Sequence, residues 1–345
     1  MRFIKYNDLL KFCKKSLIKI GVNNFCGKYV AEGLCKASLR GTDSHGINLF
    51  PHYVSSVLNG RKNPKPKFKF YKKFNSSYLL DADNGYGISA GIKAIDKGCQ
   101  IAKKNGICSV GVVNSSHPGA LASIALHGVE KGFIIFAFTH ADSLQLTYGA
   151  KKPYFGTNPL CFAVPGNSKK PFCLDMATTN INWNKLLNYK RLGKKLPSGL
   201  AVDKHGKYTT NPSNAECLTS IGGYKGFGLA AMIEILCSIF LGMNYGSNIP
   251  PMYNSSIKQP RRLGQYYIIL KTDQFVSKKK FVQNLKKMSL EIKNQKTIKN
   301  KGKIYLPNDV EYETERKRRV SGIPVDKDLY KKLREISKNI GIGLL

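Results

Sequence analysis

The chain has 345 residues, enough to bury a sizeable core in one large domain or two closely packed ones. Hydrophobic residues make up 42% of it, which excludes a disordered polymer. Lys+Arg 56 against Asp+Glu 21 leave a net charge of +35, a balance that would suit nucleic acid or an anionic surface. The lysines are spread along the whole chain among abundant Asn and Ile, however, and form no single stripe. The charge therefore reads as compositional drift at tolerant surface positions, and a nucleic-acid partner is not expected. The nine cysteines are odd in number and scattered, with no C-x-x-C pair and no zinc spacing. They read as reduced core residues of a cytoplasmic protein, with no metal site.

From Met1 the sequence runs into an amphipathic pattern interrupted by Lys11, Lys14 and Lys15, so no signal peptide is expected. Three helical patterns precede residue 60: Leu9, Leu10, Cys13, Leu17 and Ile20; Val30, Leu34, Ala37 and Leu39; and Phe50, Tyr53, Val54, Val57 and Leu58. Two prolines, Pro64 and Pro66, then favour an extended linker. Beyond it, Tyr78–Leu80, Ile107–Val113, Phe133–Phe138, Leu160–Val164 and Phe172–Leu174 read as strands, and Ile88–Lys104 and Ala120–Lys131 as helices. The alternation predicts an α/β layer structure. The apolar run Gly226–Gly242 is short for a membrane span and carries Glu234, so a buried core helix is expected over about Lys225–Leu241. A strand at Tyr266–Leu270 and helices near Lys280–Lys293 and Val325–Asn339 complete the chain. Three regions follow: a helical region 1–66, an α/β region 67–220, and a C-terminal region 221–345 that packs back on the first.

The most informative segment is Thr42-Asp43-Ser44-His45-Gly46, which places an ionisable imidazole beside a glycine at a junction of helices. Histidine exchanges protons near neutrality, although a lone histidine at a helix end is more often a cap. The dinucleotide fingerprint of doubly wound folds is missing: Gly85-Tyr86-Gly87 has the wrong spacing, and Gly222-Gly223-Tyr224-Lys225-Gly226-Phe227-Gly228 follows no predicted strand. That second segment offers free N–H groups and a cation for an anion, or simply lets a helix pack tightly. Asn114-Ser115-Ser116-His117-Pro118-Gly119 and Gly156-Thr157-Asn158-Pro159 sit at strand ends, where ligands of α/β proteins gather. His52, His127, His140 and His205 lack such settings and read as structural or exposed. Asp175 ends an apolar run, where it can cap the next turn or face a ligand.

Taken together, the ordered segments resemble the malate/L-lactate dehydrogenase-like family, which includes ureidoglycolate dehydrogenase, sulfolactate dehydrogenase and 2,3-diketogulonate reductase. The match runs through Arg40–Gly46, Asp81–Gly85, Asn114–Gly119, Gly156–Pro159, Asp175–Thr179, Asp203–Gly206, Thr209–Pro212, Lys225-Gly226 and Gly322-Ile323. The resemblance implies a mixed-sheet, non-Rossmann nicotinamide-binding fold packed with N-terminal and C-terminal helical regions. It implies a homodimer that uses NAD, with NADP possible, to move hydride to or from a small 2-hydroxy or 2-oxo acid of the malate, lactate or ureidoglycolate type. By position, His45 and His117 match the two histidines given acid/base roles in different members, with His45 favoured for proton transfer and His117 polarising or sharing the proton. Asp175, Met176, Ala177, Lys225 and Pro307-Asn308-Asp309 match cofactor contacts, and Arg40 and Ser44 are the substrate-binding candidates.

Four departures bear on activity. Leu49 stands where some members carry a carboxylate-holding arginine, which is why Arg40 is the candidate anchor. Asn184 and Asn308 replace glycines common in the family, and Ala141 replaces a serine used toward cofactor in one relative. The competing readings are a basic nucleic-acid-binding protein, which requires clustered cations and interleaved aromatics, and a family member that has lost its catalysis.

Overall fold

The computed structural model describes residues 1–166, 170–253, 255–298 and 302–344. A short strand, β1 (Arg2–Ile4), leads into helices α1 (Tyr6–Lys19), α2 (Asn24–Leu39) and α3 (Phe50–Leu58). α1 buries Leu9, Phe12, Cys13, Ser16 and Leu17, one stripe at helical spacing. Asn23 starts α2 by accepting a hydrogen bond from Cys26 N at 2.8 Å. The apolar faces of the three helices meet in one core that holds Phe12, Leu34, Phe50 and Tyr53.

After the extended segment around Pro64 come β2 (Lys69–Phe74), β3 (Ser77–Asp81), α4 (Gly87–Asn105), β4 (Ile107–Ser115), α5 (Ala122–Glu130) and β5 (Phe133–Thr139). Short strands β6 (Gln145–Leu146) and β7 (Pro153–Phe155) precede β8 (Leu160–Val164), β9 (Phe172–Met176) and α6 (Trp183–Arg191). The chain continues through β10 (Ala201–Val202), β11 (Cys217–Leu218), α7 (Tyr224–Cys237), β12 (Leu263–Lys271), α8 (Lys278–Lys293), α9 (Asp309–Ser321), β13 (Ile323–Val325) and α10 (Lys327–Ile340).

The main sheet has the order β2-β3-β4-β12-β5-β8-β9, with β3 and β4 parallel and the other neighbours antiparallel. It is a mixed sheet, as expected, and lacks the parallel order of a doubly wound nucleotide fold. Its central strand, β12, comes from the C-terminal third and buries Gln265, Tyr267 and Ile269 between β4 and β5. α4 and α5 cover one face. Gly91 and Gly98 of α4 sit so close to Tyr267 and Ile269 that an added Cβ would lie 2.5 Å from each side chain. β1 pairs with β13, which ties the first residues to the C-terminal helices and closes the helical layer.

α7 differs from the expected buried core helix. Only Gly226, Ala230, Ile233, Glu234 and Cys237 are buried, whereas Met232 is 41% and Ile235 is 51% exposed. The helix lays one side on the sheet and leaves the other, equally apolar side uncovered in the single chain. Glu234 belongs to protein and not to lipid: it accepts from Asn158 Nδ2 at 2.7 Å and from Gly246 N at 2.8 Å. Several further elements escaped the sequence pattern, among them β2, α6 and α9. β2 is a lysine-rich edge strand, and α6 and α9 carry too few apolar residues to show a stripe.

The start of α4 braces the loop that follows β4. Gly87 N donates to Ser116 Oγ at 3.1 Å, and a Cβ on Gly87 would lie 2.0 Å from Ser116 O. Gly87→Ala is therefore expected to cost about 1–3 kcal/mol through overpacking. A thermal unfolding midpoint equal to that of the native protein would contradict this close approach.

Candidate active site

His45 ends a single 3-10 turn, Asp43–His45, that follows α2. Arg318 of α9 fixes the turn by holding both Asp43 carboxylate oxygens, at 2.6 and 2.9 Å, and by donating to Ser38 O. Gly46 is required because a Cβ there would lie 2.1 Å from Ser38 Oγ, which itself accepts from Ile47 N. Ser44 Oγ lies 3.0 Å from His45 Nδ1, and Asn184 Nδ2 donates to Ser44 O at 2.9 Å.

His117 is held by a different set of elements. The Asp81–Gly85 segment supports its loop: Asn114 Nδ2 donates to Asp81 Oδ1, Asn84 N donates to Asn114 O, and Ser116 Oγ donates to Gly85 O. Tyr53 of α3 places its hydroxyl 2.9 Å from His117 O and 3.0 Å from Nδ1, while Gly119 N lies 3.3 Å from the same nitrogen. The ring is thus anchored through Nδ1, which leaves Nε2 as its exchangeable nitrogen. The two imidazoles stack with centroids 5.6 Å apart.

They stand between two clefts. One, with a volume of about 130 Å³, runs over Arg40, Thr42, the start of α5, and Asp175, Met176 and Ala177. The other, of about 90 Å³, is lined by His117, Asp142, Trp183, Tyr253 and Arg261, among others. His45, Thr157 and Asn182 line both. The first cleft offers a guanidinium for an anion, a carboxylate and threonines for hydroxyls, and Ala37, Leu121 and Met176 for an apolar ring. This donor set fits a dinucleotide.

The remaining candidates divide clearly. Asp175 caps a helix, although not the one next in sequence: its Oδ2 accepts from Ala122 N at the start of α5, 2.8 Å away. Arg40, expected on the substrate, stands on the Asp175 cleft. It donates to Asn308 Oδ1 at 2.6 Å and lies 3.6 Å from Glu315. Ser44 orients His45 and does not itself line either cleft. Asn308, with φ of 82°, also donates to Pro171 O, and Asp309 pairs with Lys170 and Lys293. Pro307, Asn308 and Asp309 therefore act behind the cleft, where Glu311 is the α9 residue on the wall. Lys225 is exposed at the start of α7, outside both clefts of the single chain. Asn184 reaches Ser44 and accepts from Tyr253 Oη at 3.1 Å, and Ala141 lines the smaller cleft.

Sequence reasoning missed Arg261 and His52. Arg261 is 4% exposed, pairs with Asp142 and donates from Nε to Pro250 O at 2.9 Å. Its neighbours Arg262 and Leu263 gave no local signal, because its partner lies 119 residues away. His52, placed among structural histidines, lines a small cavity behind His117. His140 and His127 are structural, bonded to Gly264 N and Asp96, and His205 is exposed.

Burial pushes His45 down to about 4. Burial also holds His117 well below its ordinary value, with smaller contributions from His45, Arg261 and Lys62. Both rings are therefore neutral at pH 7.

Residues 4–334 match the family model described as malate/L-lactate dehydrogenase. The L-sulfolactate dehydrogenase of Methanocaldococcus jannaschii is 33% identical, over 95% of this chain and 94% of its own length. The NAD(+)-dependent ureidoglycolate dehydrogenase of Escherichia coli is 31% identical, over 96% of this chain and 94% of its own. The crystal structure of malate dehydrogenase from Entamoeba histolytica superposes with a TM-score of 0.94 at 26% identity, covering 99% of each chain.

Neutral imidazoles at pH 7 have a direct consequence. In a nitrogen-15 NMR titration, with signals assigned from His45→Asn and His117→Asn, both rings should take up protons only as pH falls below 6.5, the ordinary histidine value. A midpoint at or above that value for either ring would contradict the burial described.

Proposed function

We propose that this chain, which belongs to the malate/L-lactate dehydrogenase family, performs its hydride transfer at the wall that the two clefts share, with the acid in the Arg261 cleft and the dinucleotide in the Asp175 cleft. The chain is an NAD(P)-dependent oxidoreductase of small 2-hydroxy acids. One observation carries the placement: His45, Thr157 and Asn182 line both clefts, so ligands in the two would meet beside the stacked histidines.

When bound, the nicotinamide supplies or accepts the hydride. His117 is the group that takes the hydroxyl proton during oxidation and returns it during reduction. It lines the Arg261 cleft but not the Asp175 cleft, it is anchored through Nδ1 by Tyr53, and it is neutral at rest. This reading moves the proton from His45, the residue favoured by sequence, to His117. His45 then orders the boundary and stacks on the ring that becomes charged. Arg261 holds the substrate carboxylate, the task that Leu49 cannot perform. Arg40 faces the dinucleotide, where Asn308 and Glu315 fix its guanidinium.

Two features support the setting. The nine cysteines are all free and buried, in keeping with a reducing cytoplasm. The outer side of α7 exposes Leu229, Met232 and Ile235, followed by Ile239 and Phe240, an apolar row suited to a homodimer interface. Ile235→Lys should halve the mass measured by sedimentation equilibrium; a native protein that sediments as a single chain would overturn the dimer.

The catalytic reading is tested by nucleotide absorbance with NADH and NADPH over a panel of 2-oxo acids. His117→Ala should lower kcat by about 100-fold or more while nucleotide binding persists. Arg261→Met should raise KM by about tenfold or more. If His45→Ala abolishes turnover and His117→Ala retains it, the two roles are exchanged; a folded protein that binds neither nucleotide is a relative without catalysis.

A further inference from the structure

Behind His117 lies a cavity of about 10 Å³, lined by His52, Arg61, Lys62, Asn84, Ser116 and Arg261 together with His117 and Met252. It adjoins the Arg261 cleft, with which it shares His117, Met252 and Arg261. Its volume takes one oxygen atom. No carboxylate lines it among the described residues.

The cations around this space are not equivalent. Arg61 is committed to Gln259 O, Met252 O and Ser255 Oγ at 2.7–2.9 Å. Arg261 is committed in part to Asp142 and Pro250 O. Lys62 is 4% exposed, and its Nζ has no hydrogen-bond partner. That nitrogen rests 4.0 Å from the centre of the Tyr53 ring and 4.6 Å from that of Tyr86. Asn84 Oδ1 in the same lining is also unpartnered. Burial, then Arg261 and Arg61, push the ammonium well below its ordinary value, and an anion beside it reverses that push.

We propose that Lys62 anchors a second acid group of the substrate, so that this cavity selects 2-hydroxy and 2-oxo acids with two anionic groups over those with one. The proposal rests on the dehydrogenase reading. Arg261 holds the carboxylate next to the reacting carbon, and one oxygen of the distal acid group enters the cavity and accepts from the Lys62 ammonium. A substrate with a methyl group at that end leaves the ammonium unpaired.

The test compares kcat/KM for oxaloacetate and pyruvate with NADH and NADPH, in the native protein and in Lys62→Met, which keeps the stem and removes the charge. The native protein should favour oxaloacetate by about 100-fold or more, and Lys62→Met should shrink that ratio at least about tenfold, mainly through KM. Should Lys62→Met not fold, Lys62→Gln is read by the same ratio. A native protein that reduces pyruvate as well as oxaloacetate, or a ratio untouched by the substitution, overturns the assignment of Lys62 alone. Inactivity toward every 2-oxo acid with both nucleotides overturns the dehydrogenase reading itself, and the Lys62 anchor with it.

Discussion

One buried guanidinium organises the side of the molecule that carries His117 and Arg261. Arg61 is 2% exposed, yet its donors reach Gln259 O, Met252 O, Pro251 O and Ser255 Oγ, all in the strap that runs from α7 back to β12. Stranding such a group without partners costs about 3–5 kcal/mol, so the strap has to present its carbonyls to Arg61. Met252, Tyr253 and Arg261 are carried to the cleft by that demand. Arg61 O accepts in turn from Asn84 Nδ2 at 2.8 Å, which couples the strap to the segment bracing the His117 loop. His117 and Arg261 are positioned by the same knot.

The second constraint is close backbone approach. Gly46 against Ser38 packs the His45 turn onto α2, and Gly87 against Ser116 packs α4 onto the loop that carries His117. A Cβ at either position would displace the turn or loop that holds one of the stacked imidazoles. In this arrangement His45 belongs to the helical region and His117 to the loop that follows β4, so the site exists only where the two regions meet. Their neutrality is a product of the same packing, because burial is the first cause of both shifts.

Much of this was legible in the sequence because it is local. Leu160–Val164 is a strand at the bounds its apolar run predicts, and the polar segments at 42–46, 114–119, 156–159 and 175–179 all converge on the two clefts. What was not legible depends on long-range partners. Arg261 reads as one more basic residue until Asp142 is brought to it, and Lys62 sits in a lysine-rich linker with nothing to mark it as buried. Spacing from His45 suggests Arg40 for the substrate and cannot reveal that Asn308 holds it on the Asp175 cleft. The outer face of α7 was read as core for a related reason. Hydropathy records that a side must be covered and does not record whether the cover comes from the same chain.

The net charge of +35 is a poor guide to the chemistry, since most of it is solvated and screened beyond about 10 Å. The charges that decide recognition are the few removed from water. Around His117 these are Arg61, Arg261 and Lys62, with Asp142 the carboxylate that answers them through Arg261. Arg61 is satisfied by carbonyls, which leave its formal charge in place, and the histidines are held neutral, so the deep cleft retains an uncompensated positive field. Such a field is costly in the empty protein and favourable once an anion enters, and the gain is larger for two acid groups than for one. Selectivity for doubly charged acids would then arise from one cation, Lys62, that the fold itself leaves without a hydrogen-bond partner.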